Sequence, residues 1–286
     1  MGPMESESLH RRFSPGGEGD TQDLDAHVNE LYRERLQHVR KHLERAEVEA
    51  LLICDPNDIF YASGAMNMQI FSARTVARYL LVIDGGPAIL FEYRGCEHLV
   101  QDLPTIDEIR LAVGLDIVSS GGEVSAASRE LAREIGDELR RHGARRLAVD
   151  RFPFSAIDEL RAAGLTLIPA DTVLAPARSI KLPREIPYLR EAMRRVEVAV
   201  EALEVAAEPG MTESEAWAHF HFELMAKDGQ HTVTRLFQSG PNTYPYFQEA
   251  GQRRLHAGEL LALDTDANGY ENYCVDFSRT FLCGDK

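Results

Sequence analysis

The sequence predicts an α/β domain followed by a second, α+β unit, and three observations carry that prediction. Helical and strand patterns alternate over residues 28–175, and a long amphipathic stretch begins near Ile186 and stops at Pro209-Gly210. The last stretch, residues 260–281, then alternates apolar and polar side chains on either side of a turn signal. At 286 residues the chain is long enough for two ordinary cores.

Residues 1–25 are rich in Gly, Ser, Glu and Asp, so burial cannot offset the entropy of ordering them, and a disordered tail is expected there. Val28, Leu31, Leu36, Val39 and Leu43 then recur at helical spacing. The runs LLIC, ARYLLVID and AILFEY read as strands, the last two joined as a hairpin through Gly85-Gly86-Pro87. A helix over SAASRELAREIGDELRRHG ends on Gly143 and feeds the strand RLAVD; FSAIDELRAAG and LTLIPA repeat that order. We place the first domain at 26–176 and the second at 177–286. In the second, Ile186, Leu189, Met193, Val196, Val200 and Leu203 form one apolar stripe, read as core. Thr212 and Glu215 make a capping box for a helix that presents Trp217, Phe220 and Leu224 on one face.

A formal charge of -15 and a pI near 5.1 repel phosphate backbones and anionic lipid surfaces, which argues against nucleic acid and membrane as partners. No window approaches the roughly 20 apolar residues that span a bilayer, and the first residues lack the apolar core of a secretory signal, so the expected compartment is the cytoplasm. Cys54, Cys96, Cys274 and Cys283 show no C-x-x-C spacing and are expected to be reduced, buried small hydrophobes.

The chemistry concentrates in LLALDTDANGYENYCVDFSRTF. Asp264 and Asp266 alternate with Leu263 and Thr265, so on a strand both carboxylates point to one face, and Asp276 follows on the next strand. Clustered carboxylates raise each other's pKa unless a cation or basic partner sits among them, and their oxygens suit Mn²⁺, Fe²⁺, Co²⁺ or Zn²⁺. On spacing alone, acids flanking a solvated Asn-Gly turn are the ordinary reading.

Register adds a condition. A two-residue turn at Asn268-Gly269 would pair Ala267 with Tyr270 and Asp264 with Tyr273, sending Asp276 to the wrong side of the sheet. Three acids on one face therefore require an odd-length loop or a β-bulge between Asp266 and Asp276.

The hairpin resembles the first metal hairpin of the Xaa-Pro peptidase and creatinase family of pita-bread metalloenzymes. There an Asp after an apolar strand and a second Asp before S/T-R-T-F both bind metal. Three further segments resemble the family in the same order: DPNDIFYASG, RSIKLPREIPYLREAMRRVEVAVEA and EPGMTESEAW. The resemblance implies a creatinase-like N-terminal α/β domain and an incomplete α+β pita-bread catalytic domain. It also implies a divalent metal (Fe, Mn, Co or Zn) on Asp264, Asp266 and Asp276, and a homodimer acting on a small molecule or dipeptide.

Two departures narrow the branch. The even spacings, twelve from Asp264 to Asp276 and ten from Asp266, differ from the odd spacing of the peptidase members. In SGPNTYPYFQEAG, Tyr246 stands where peptidases often carry a His near the scissile amide, which makes Tyr246 a substrate-binding candidate. With the D-x-D pair and MNMQIF, these features are most similar to the dimethylsulfoniopropionate lyase branch. Such enzymes remove a proton α to the substrate carboxylate and expel dimethyl sulfide, leaving acrylate. An Xaa-Pro aminopeptidase or dipeptidase is the alternative within the family. A non-catalytic pita-bread binding module is the alternative outside enzymology, disfavoured because a pure binding fold gains nothing from clustered acids.

The family completes its site with a His and two Glu from later strands, and no such set follows Asp276 here. The catalytic residues are therefore expected downstream of Lys286, and the chain is expected to be a fragment, inactive by itself. His219 and His221 point about 200° apart on a helix and cannot share an ion. His231 is expected in a loop rather than as a ligand. Arg279 is expected to pair with an acid or steady the hairpin, and Tyr61 and MNMQIF either border a partner subunit's site or are ordinary loop packing.

Overall fold

The computed structural model describes residues 18–284. They fall into two compact units, Ala26–Pro183 and Arg184–Lys286 with the residues up to Asp25. Helices α1 Glu18–Arg45, α2 Pro56–Ser63, α3 Val124–Arg141, α4 Phe154–Ala162 and α5 Asp171–Ser179 accompany strands β1 Ala50–Ile53, β2 Tyr79–Ile83, β3 Ala88–Glu92, β4 Glu108–Leu111, β5 Arg146–Val149 and β6 Thr166–Pro169. The second unit holds α6 Glu185–Ala206, α7 Glu213–Ala226, β7 His231–Thr232, β8 Leu236–Ser239, β9 Leu260–Asn268 and β10 Cys274–Leu282.

The first unit is a six-stranded sheet in the order β4-β3-β2-β1-β5-β6, with β2 antiparallel to both neighbours and the β1-β5-β6 set parallel. Strands β1, β2 and β3 are buried along their whole length because helices cover both faces, which is why they read as unbroken apolar runs. One face packs Leu52, Leu81 and Phe91 against Leu131, Ile135 and Leu139 of α3 and Leu160 of α4. The other packs Leu51, Ile53 and Leu80 against Val39 and Leu43 of α1, Ile59 of α2 and Val173 of α5. The carboxylate of Asp150 joins the ends of β1 and β5 by accepting from the Cys54 and Asp55 amides at 2.8 and 2.7 Å.

The structure departs from the sequence expectations in several places. Residues 1–17 of the expected tail lie outside the described residues, but Glu18 onward is helical. The second turn of this helix is held by distant partners: the Tyr188 hydroxyl donates to the Leu24 carbonyl at 2.8 Å, and the Tyr270 hydroxyl donates to Asp25. Helix α5 runs to Ser179 and the first unit to Pro183, past the placed boundary at 176. Tyr61 is a core residue, its hydroxyl donating to the Ala177 carbonyl at 2.9 Å and its ring 5.3 Å from the Arg35 guanidinium. Cys54 and Cys283 are buried, whereas Cys96 is half-buried and Cys274 exposed; all four are free thiols.

In the second unit the expected stripe of α6 is buried at Val196, Val200 and Leu203, whereas Ile186 and Met193 are exposed and Tyr188 and Ala192 take the buried places. Polar groups occupy the buried side at the start of the helix. Glu185 is buried to accept from the Tyr273 hydroxyl at 2.9 Å, and Tyr188 stacks on Tyr270 with ring centroids 5.9 Å apart. The capping box at the start of α7 forms as expected, the Glu215 amide donating to Thr212 and the Thr212 amide to Glu215. Trp217, Phe220 and Leu224 are buried, while His219 and His221 are exposed. Among the described residues no helix is long and apolar enough to cross a membrane.

Candidate metal centre

Strand β9 alternates Leu261, Leu263, Thr265 and Ala267, all buried, with Asp264 and Asp266 on the opposite side. Antiparallel pairing with β10 sets Asp276 directly across from Asp266 and Ser278 across from Asp264. Residues opposed in this way share a face, so all three acids look out from one side of the sheet, and Val275, Phe277 and Phe281 face the buried side. The strands close from Asn268 to Cys274 over the odd, five-residue loop 269–273, as three acids on one face require. Within the loop, Glu271 and Asn272 adopt φ of 52° and 56°, and the Asn268 amide donates to Asn272 Oδ1 at 2.7 Å. Gly269 lies so close to α6 that a Cβ there would sit 3.1 Å from the Ala192 carbonyl oxygen.

The strands on the far side of β9 hold the acids in place. Leu236 of β8 pairs with Asp264, and the Val233 amide donates to the Asp266 carbonyl at 2.7 Å. Between them the Thr234 hydroxyl accepts from the Asp266 amide at 2.9 Å and donates to the Asp266 carboxylate at 3.2 Å, fixing that side chain's direction. His231 belongs to β7, opposite Asn268, rather than to a loop. Its Nδ1 is buried without a hydrogen-bond partner, and burial lowers its pKa, which keeps the ring neutral.

Tyr246 reaches the same face from the segment between β8 and β9. Its phenol pKa is pushed up to about 12, by burial first and then by the neighbouring carboxylates of Asp264 and Asp276. The segment is tied down by Glu213, which sequence patterning passed over as an ordinary residue beside a helix cap. This fully buried carboxylate accepts from the Ser239 amide at 2.9 Å, the Ser239 hydroxyl at 2.7 Å, the Asn242 side chain at 3.3 Å and the Gly251 amide at 3.1 Å. Arg279 pairs with no acid among the described residues; it lies 3.9 Å from the Phe277 ring centroid and donates to the Ser278 carbonyl.

The acids have the donor chemistry of a hard or borderline cation site and the common orientation it needs. Their convergence is partial: among the described residues no three His, Cys, Asp or Glu side chains come close enough together to hold an ion. Two carboxylates set directly opposite each other repel, so a cation between Asp266 and Asp276 would relieve a strain built into the register.

Residues 35–180 match the Creatinase/Prolidase N-terminal domain, and residues 187–286 match Metallopeptidase family M24. The chain is 33% identical over 263 residues to a dimethylsulfoniopropionate lyase DddP of Roseobacter denitrificans, covering 90% of this chain and 59% of that protein. It is 33% identical over 242 residues to the protein of the same name in Roseovarius nubinhibens, covering 82% and 54%. The chain thus spans less than two thirds of the length of these relatives. Its fold is similar to that of an Xaa-Pro dipeptidase from Bacillus anthracis, with a TM-score of 0.67 at 20% identity over 89% of this chain and 66% of that one. A prolidase from Pyrococcus horikoshii aligns equally well, with a TM-score of 0.67 at 21% identity over 88% and 65%. A creatinase-type domain over half of the sequence, followed by the acid hairpin of a metallopeptidase domain, assigns this chain to the creatinase/prolidase family of pita-bread enzymes.

Proposed function

We propose that this chain carries the N-terminal domain and the first acidic metal ligands of a lyase that cleaves dimethylsulfoniopropionate to dimethyl sulfide and acrylate. The observation that carries the reading is the shared face of Asp264, Asp266 and Asp276, with Tyr246 close enough for Asp264 and Asp276 to raise its phenol pKa. The likeness to two proteins named as dimethylsulfoniopropionate lyases supports it.

In this reading Asp264, Asp266 and Asp276 hold a divalent cation, whose chemistry when bound is to polarise the substrate carboxylate and acidify the neighbouring C–H. Thr234 keeps the Asp266 carboxylate aimed outward, and Tyr246 lies beside Asp264 and keeps its own proton. A base removes the proton α to the carboxylate, its electron pair forms the new C=C bond, and the C–S pair leaves on sulfur as neutral dimethyl sulfide. That base is not assigned to any residue of this chain. The homodimer and the choice among Fe, Mn, Co and Zn belong to the same proposal.

The test is an assay of the full gene product for acrylate and dimethyl sulfide release, run beside proline release from Xaa-Pro dipeptides, with elemental analysis and light scattering. The expected result is acrylate release that Asp266→Asn abolishes. Proline release without acrylate would assign the protein to the peptidases. A folded, metal-free product that resists reconstitution would make it a binding module.

A further inference from the structure

A sulfonium group presents a recognition problem that hydrogen bonding cannot solve. Its positive charge is spread over alkyl groups with no N–H or O–H, so a protein holds it with negative charge and with the faces of aromatic rings. Both occur beside the acid face. The rings of Tyr246 and Phe247 lie 4.8 Å apart, inclined at 54°, and the charges of Asp264 and Asp276 act on Tyr246. Phe247 is 73% exposed, and Tyr244, three positions earlier, is 86% exposed.

Both rings are open to water in this chain, and Phe247 is held at a φ of 75°. That left-handed conformation costs a non-glycine residue roughly 1–2 kcal/mol. Arg235 is ion-paired to Glu249 at 3.2 Å and Arg253 to Glu259 at 2.5 Å. The acids whose charge acts on Tyr246 are Asp264 and Asp276.

We propose that Tyr246 and Phe247 form a cation–π receptor for the sulfonium, or an equivalent quaternary ammonium, headgroup of the substrate. The identity of the headgroup rests on the lyase reading; the receptor itself rests on the rings and the charge beside them. Apolar packing of a peptide side chain would use the same rings but would be indifferent to charge.

The test compares ligands that share a shape and differ in charge. Dimethylsulfoniopropionate, its carbon isostere 4-methylpentanoate and the trimethylsulfonium ion are titrated against the metal-free chain, following ligand methyl resonances by NMR. Wild-type protein is expected to bind both sulfonium ligands, with dimethylsulfoniopropionate favoured over the isostere by about 3- to 10-fold, the range that a partly exposed cation–π contact supports. Phe247→Leu should weaken both sulfonium ligands by a similar factor and leave 4-methylpentanoate unchanged. Replacing Phe247 by progressively fluorinated phenylalanines, which keep its shape, should weaken them in steps.

Unchanged sulfonium binding in these variants, equal losses for charged and neutral ligands, or no sulfonium binding by the wild type would overturn the receptor. The two readings fail separately. Ring-dependent sulfonium binding in a full gene product that releases no acrylate removes the lyase and leaves the receptor. Acrylate release that is indifferent to Phe247→Leu does the reverse.

Discussion

Replacing Glu213 by Gln tests whether a single buried carboxylate holds the segment that carries Tyr246. Its Oε1 accepts three hydrogen bonds, from the Ser239 amide, the Ser239 hydroxyl and Asn242, and its Oε2 accepts a fourth from the Gly251 amide. Glutamine has one acceptor oxygen. Placed at the crowded position it keeps three neutral bonds, each weaker than a bond to a carboxylate by roughly 1 kcal/mol, and turns its NH₂ toward the Gly251 N–H. That last donor is left unsatisfied, at about 1–3 kcal/mol. Part of the total is returned because a neutral amide is less costly to bury than a carboxylate, so a net loss of about 2–4 kcal/mol is expected. Trp217 is the only tryptophan and lies on the helix that Glu213 begins, so its fluorescence in a denaturant titration reports this unit alone. A fluorotyrosine placed at 246 gives a second signal, whose ¹⁹F shift should move in Glu213→Gln before the unit unfolds. A loss below about 1 kcal/mol with an unmoved ¹⁹F signal would refute the assigned role.

Three further outcomes are expected. Asp276→Asn removes one of two directly opposed acids, so the metal-free protein should melt slightly higher while its thermal shift on adding Mn²⁺ or Zn²⁺ disappears; an undiminished metal shift counts against Asp276 as a ligand. Asp58, ion-paired to Arg178 at 2.5 Å, has its pKa raised from 3.8 to about 6 because desolvation outweighs the Arg178 charge. A carboxyl raised in the folded state contributes most below its unfolded pKa and loses that contribution as pH rises through the folded one. The stability of wild type relative to Asp58→Asn should therefore fall by about 3 kcal/mol from roughly pH 4 to pH 7, read by amide exchange across α2, and a flat difference would contradict it. Gly64→Ala should cost more than about 2 kcal/mol, because φ is 77° there and a Cβ would run into the Tyr32 ring; a neutral melting temperature would show that the turn relaxes.

Much of the first unit was legible because its central strands are short apolar runs punctuated by Gly and Pro, and its helices carry one clear period. The hairpin of β2 and β3 around Gly85-Gly86-Pro87 forms as read. What could not be read there depends on residues far away in sequence. The start of α1 looks like a polar tail until Tyr188 and Tyr270, 164 and 245 positions further on, take the Leu24 carbonyl and the Asp25 side chain of its second turn. The stripe on α6 holds at Val196, Val200 and Leu203 and fails at Ile186 and Met193 for a related reason: periodicity scores both as inward, whereas Glu185 and Tyr188, bonded to Tyr273 and to Leu24, take the buried side at that end.

At the acid face the same distinction decides which residues were found. A strand repeats every two residues, so alternation fixes the face of Asp264 and Asp266, and the parity of a loop decides whether Asp276 joins them. Both are local geometry. Thr234 and Glu213 act through partners 32 and 26 positions away, on groups that a pattern reading treats as interchangeable with any Thr or Glu. Their effect is also indirect, since Thr234 aims one carboxylate and Glu213 anchors the segment that brings Tyr246 to another. The acids alone supply negative charge, which any solvated turn can do. What distinguishes this face is that Asp266 is held in direction, Tyr246 lies beside Asp264, and Asp276 is left exposed directly across the sheet from Asp266. A cation arriving here would meet one carboxylate that is already oriented, so the Thr234 contact, and through the Tyr246 segment that of Glu213, are the ones whose loss should disturb metal binding without removing a ligand.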